Sequence, residues 1–79
     1  MSLTINDLVA LSHTRNVVYS GELRGVRQRS RLTQGEVAQA CGVSVPAVCQ
    51  WESGVTHPTS ANARRLSSVL VALEASNAH

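Results

Sequence analysis

The plainest pattern in the chain lies near its end, where Leu66, Val69, Leu70 and Leu73 repeat at i, i+3, i+4 and i+7. That spacing puts one apolar stripe on a helix and predicts one starting near Thr59 or Ser60. Upstream, three shorter helices are marked by their punctuation. Ser44 can cap a helix that runs to Glu52 or Ser53, with Val48 and Trp51 inward and Gly54 as its stop. Pro46 sits in its first turn, where the missing N–H loses no helical bond. Thr33 and Glu36 have the spacing of a capping box, opening a helix that buries Val37, Ala38 and Cys41 and ends at Gly42. Only Val43 separates Gly42 from Ser44. Before these, Ser20 reads as a cap with Glu22 in the first turn, where the helix dipole favours an anion. Leu23, Val26 and Ser30 then share a face, and Leu32 closes the segment.

Residues 1–20 are less patterned. Thr4 and Asp7 resemble a capping box, and Leu8, Val9 and Leu11 give one apolar side as far as about His13. The run Arg15–Tyr19 is β-branched and fits a short strand, a turn or a lead-in to the next helix. Thr56-His57-Pro58 reads as a loop, and Asn77-Ala78-His79 should fray. The expected fold is all-α, a compact bundle of four to five short helices. Residues 1–20 form an N-terminal extension, a short helix that packs on the domain or on a dimer partner; 21–75 form the domain, and 76–79 a frayed tail.

Length and composition narrow this further. A chain of 79 residues holds one domain, and 43% hydrophobic with 15% charged residues fits neither a disordered nor a membrane chain. No apolar run approaches the roughly 20 residues that span a bilayer. The N-terminus lacks the basic start and apolar stretch of a secretory signal, so a cytoplasmic location is expected. The net charge of +2 does not identify a nucleic-acid binder. Its distribution says more: Arg24, Arg27, Arg29 and Arg31 fall within eight residues that hold no acid, and Arg64 and Arg65 form a second pair. An ordinary solvated helix face would look the same.

Chemistry-bearing clusters are sparse. Cys41 and Cys49 have no CxxC spacing, and His13, His57 and His79 are scattered, so no metal site is expected and both thiols read as small hydrophobes. No Gly-rich phosphate loop, helically spaced carboxylate pair or Ser/His/Asp set appears, which argues against an enzyme and implies no cofactor or small-molecule ligand. With 3% aromatics, stacking on single-stranded bases has no platform.

Two helices joined by a short Gly-containing turn have helix-turn-helix geometry. The string Leu32-Thr33-Gln34-x-x-Val37-Ala38-x-x-x-Gly42-Val43-Ser44-x-x-x-Val48-x-x-Trp51-Glu52-x-Gly54, followed by Pro58, closely resembles the Cro/C1-type (XRE-like) helix-turn-helix family over about residues 22–73. Each position has a physical reason. Ala38 is small enough for two helices to cross closely, Gly42 permits the sharp turn, and Val43 fills the space beneath it.

The resemblance implies a lambda-repressor-like fold and a regulator, phage- or bacterial-repressor-like, that binds a double-stranded DNA operator. It implies that Arg27 and Glu52 form a structural pair holding the reading helix. Gln34 would touch the DNA backbone and brace a recognition-helix side chain. Thr33, Gln34, Arg24, Arg31, Thr56, His57 and Asn62 are the candidates for phosphate contact. Base reading falls to Ser44, Val45, Pro46, Cys49 and Gln50, with Gln50 able to bond adenine bidentately and Cys49 able to face either way. Val45 and Pro46 depart from the polar residues often found there, so recognition leans on few polar contacts plus DNA shape.

A second departure follows Pro58. Relatives usually carry larger apolar residues where this chain has Ser60 and Ala63, a thin surface that residues 3–19 could cover. Nothing after the last helix reads as an effector or oligomerisation domain. The contact of a homodimer, at least on DNA, therefore falls to residues 1–19, to the Leu66–Leu73 helix, or to both. Two other readings stay open: an antitoxin-type autorepressor, and a protein-interaction module on the same scaffold, which the apolar Val45-Pro46 step would suit.

Overall fold

Capping chemistry sets most of the helix boundaries in the computed structural model, which describes residues 2–77. Five α-helices follow one another: α1 (Ile5–Tyr19), α2 (Leu23–Arg29), α3 (Gln34–Cys41), α4 (Val45–Ser53) and α5 (Ser60–Asn77). Among the described residues there is no strand, and the fold is all-α. No helix there is long and apolar enough to cross a membrane. Fraying at Ala78 and His79 lies outside the described residues, and α5 is helical to Asn77.

Both capping boxes form. The Thr4 hydroxyl accepts the Asp7 N–H at 3.0 Å while the Asp7 carboxylate accepts the Thr4 N–H, and Thr33 and Glu36 repeat the exchange at the start of α3. Ser44 caps α4 by accepting the Ala47 N–H. Gly42, at φ 70°, lies in the left-handed region that ends α3, a conformation that costs an L side chain about 1 kcal/mol or more.

The N-terminal third departs from its sequence pattern in three places. First, α1 runs unbroken through Arg15–Tyr19, so the β-branched segment is helical. Val17 and Val18 are buried in the main core, and that burial outweighs a weak strand preference. Second, the buried face of α1 is Leu11, Thr14, Val17 and Val18, whereas Leu8 and Val9 are exposed. Third, Ser20 ends α1 and does not start α2: its N–H donates to Asn16 O at 2.9 Å and its hydroxyl to Val17 O. Gly21 at φ 81° follows, and α2 starts after Glu22 with no side-chain cap. Ser30, placed by spacing on the buried face of α2, is its half-buried C-cap; its hydroxyl donates to Val26 O and accepts from Asn77 Nδ2.

One core joins Val17, Val18, Leu23 and Val26 to Val37, Ala38, Cys41, Val48, Trp51, Leu66 and Leu70. Helix α5 is its axis, packing against α1, α2 and α3. Its stripe is graded, with Leu66 and Leu70 buried and Val69 and Leu73 half-buried. Of the small residues at the start of α5, Ala63 is fully buried where α1 lies along α5, while Ser60 stays exposed. His13 Nε2 meets the Glu74 carboxylate at 2.8 Å across the same pair of helices. Helices α2 and α3 each pack on both α5 and α4, so α4 is carried by α2 and α3.

Candidate nucleic-acid interface

The side chains of α4 divide by face. Val48 is fully buried and Trp51 is 3% exposed, and together they fix the helix to the core. Ser44, Val45, Pro46, Cys49 and Gln50 are all exposed. Of the two ways Cys49 could face, it takes the exposed one, unlike Cys41, which is buried. Burial pushes the Cys41 thiol up, only partly countered by Arg65, which keeps it protonated and inert.

Behind that face sits a closed polar network. Arg27 donates Nε to Glu52 Oε2 at 2.6 Å and Nη2 to Glu52 Oε1 at 3.0 Å, a bidentate clamp from α2 to the end of α4. Its remaining Nη1 donates to Leu32 O at 2.9 Å. Gln34 Nε2, from the first turn of α3, donates to Glu52 Oε1 at 3.0 Å. The side chains of Arg27 and Glu52 are only 13% and 4% exposed. Burial pushes the Glu52 carboxyl up, but the bonds from Arg27 and Gln34 and the charges of Arg27 and Arg24 outweigh it, so Glu52 titrates below the usual carboxylate range. Three helices are thus joined at one carboxylate.

The turn that leads into α3 is held by the same network. Arg31 takes φ 58°, costly for a residue with a Cβ, while Leu32 donates its N–H to Arg27 O and returns its carbonyl to the Arg27 guanidinium. Sequence spacing gave no hint of this Leu32 carbonyl contact, because a backbone acceptor has no residue signature.

The residues proposed from sequence fall into groups. Arg24, Thr33 and Gln34 line one shallow groove together with Val45 and Cys49 of α4. Thr56 bonds to Gln50 at the far end of α4. His57 stacks on Tyr19, ring centroids 4.0 Å apart and 13° from parallel. Tyr19 was not singled out in the sequence, since its run read as structurally ambiguous. Arg31 and Asn62 line no part of the groove. Gln34 is half-buried and Thr33 exposed at the start of α3, where unbonded helical N–H groups suit an anion. The Glu36 carboxylate is close by, and its bonds to the Thr33 backbone and hydroxyl hold it ionised, so this end is not uniformly positive.

Comparison with protein families agrees with the geometry. A helix-turn-helix family model matches residues 23–70, from the start of α2 to the buried half of α5. Neither a curated protein nor a solved structure matches the chain.

Proposed function

We propose that this chain, which belongs to the Cro/C1-type helix-turn-helix family, is a cytoplasmic repressor of the phage-regulator kind that occupies promoter DNA as a homodimer. The family makes it a DNA-binding regulator. The single observation that supports α4 as the DNA-reading helix is its division by face, an exposed polar-and-apolar side backed by Val48, Trp51 and a closed Arg27–Glu52–Gln34 network.

In this reading α4 enters the major groove. Ser44 and Gln50 offer hydrogen bonds to base edges, and Val45 and Pro46 pack on thymine methyl groups. Gln34 and Thr33 lie against a phosphate at the start of α3, with Arg24, Arg31, Thr56, His57 and Asn62 flanking. These contacts set register and supply the salt-dependent part of affinity, each neutralised phosphate adding about 0.9 to the salt slope. One module binds weakly, and a dimer presents two reading helices about 34 Å apart. Ile5, Leu8 and Val9 leave an apolar strip of α1 uncovered, 80%, 52% and 64% exposed, available to a second copy. The protein-interaction reading keeps one observation in its favour, the exposed Val45-Pro46 step.

Gln50→Ala tests the assignment of the reading face. Affinity for the preferred duplex should fall about 5- to 150-fold, the scale of one base contact, while affinity for unrelated duplexes hardly changes. Equal loss on all sequences, or none on any, would remove Gln50 from base reading.

A further inference from the structure

Gln50 is held at both its backbone and its side chain. Beyond Gly54 the chain folds back over the end of α4, and Val55 and Thr56 both aim N–H groups at the Gln50 carbonyl oxygen, at 3.0 and 3.5 Å. The Thr56 hydroxyl donates to Gln50 Oε1 at 3.3 Å. Both side chains are exposed, so this return of the loop, and no core packing, orients the amide. Threonine suits the task because its branched Cβ leaves few χ1 positions.

The orientation has a chemical consequence. A glutamine amide has an acceptor end and a donor end. Bidentate reading of adenine uses both, Oε1 accepting from N6–H2 while Nε2 donates to N7. Here one lone pair of Oε1 is taken by the Thr56 hydroxyl and the oxygen is drawn toward the loop, which favours the two N–H bonds of Nε2 as the leading group. Guanine matches two donors, because N7 and O6 are both acceptors on its major-groove edge. Cytosine, which shows an N4–H2 donor, does not.

Taking α4 as the reading helix, as proposed above, we infer that Thr56 is a specificity-determining residue: by holding Gln50 Oε1 toward the loop it makes the Nε2 end lead and biases Gln50 toward guanine over adenine. Thr56 acts through Gln50 and need not touch a base, which is a different task from the phosphate contact its position in the loop suggests.

The test is selection from a random duplex pool with the wild type, Thr56→Val, Thr56→Ser and Gln50→Ala. The last marks the base pair that Gln50 reads. Wild type and Thr56→Ser, which keeps the donor, should enrich guanine there. Thr56→Val keeps the shape and loses the donor, and its guanine-to-adenine ratio should fall about tenfold, the scale of one base contact. A structural role alone would weaken binding to every sequence and leave this ratio unmoved. Wild type enriching adenine at that position, or Thr56→Val keeping the wild-type ratio, overturns the role of Thr56 and leaves DNA reading by α4 intact. No enrichment with any of the four proteins overturns both.

Discussion

Glu52→Ala should lower the stability of the protein by about 3–5 kcal/mol, because it strands the Arg27 guanidinium in a site 13% exposed, with only the Leu32 carbonyl left. For a domain of this size that shift takes well over 10 °C from Tm. Glu52→Gln should cost less, since an amide oxygen still accepts from Arg27 and Gln34 while the charge is lost. The same carboxylate sets an acid limb. Its pKa is lower folded than unfolded, so its contribution is complete above the ordinary glutamate range and is lost as pH falls through the folded value. Asp7 and Glu36, both ionised by their capping boxes, add in the same direction. Thermal melting from about pH 6 to about pH 3 should therefore fall more steeply in the wild type than in Glu52→Gln. An alanine variant that melts within a degree or two of the wild type, or parallel acid limbs, would mean that the network contributes little.

Trp51→Ala should cost about 3–5 kcal/mol as well, by a different route, the cavity left by a large buried ring. Small domains have about 5–15 kcal/mol to lose, so this variant should be partly unfolded at physiological temperature. Trp51→Phe fills more of the space and should fold, melting a few degrees lower. Its base preference should match the wild type, since an indole 3% exposed supports the reading face and does not belong to it. As the protein has one tryptophan, emission reports on α4 directly and should be blue-shifted when folded. A folded Trp51→Phe with altered base preference would move Trp51 from frame to reader.

From Thr33 to Gly54 the fold was written plainly in the residues. Caps, a left-handed glycine and inward Val37, Ala38, Val48 and Trp51 are local signals that agree with one another, and the structure has each of them. The N-terminal third was less legible because its outcome depends on a distant partner. Nothing local to Arg15–Tyr19 says that Val17 and Val18 will be buried, nor that Leu8 and Val9 will not. Ser20 shows the same limit, since a serine can bond backbone on either side of a helix boundary and neighbouring Gly21 decided which. Within the candidate site, the family resemblance implied the Arg27–Glu52 pair and a Gln34 that braces some side chain of the recognition helix, and residue type pointed to Gln50. That Gln34 donates to Glu52, that Leu32 lends a carbonyl, and that Thr56 turns the Gln50 amide are relations between side chains and loops, and spacing does not encode them.

The most direct test of the central claim, that the exposed face of α4 reads double-stranded DNA, is selection of bound duplexes from a random pool by the wild-type protein at moderate salt. The expected result is a short enriched consensus, arranged as two inverted half-sites about one helical turn apart. Recovery of sequences no different from the input pool would contradict it.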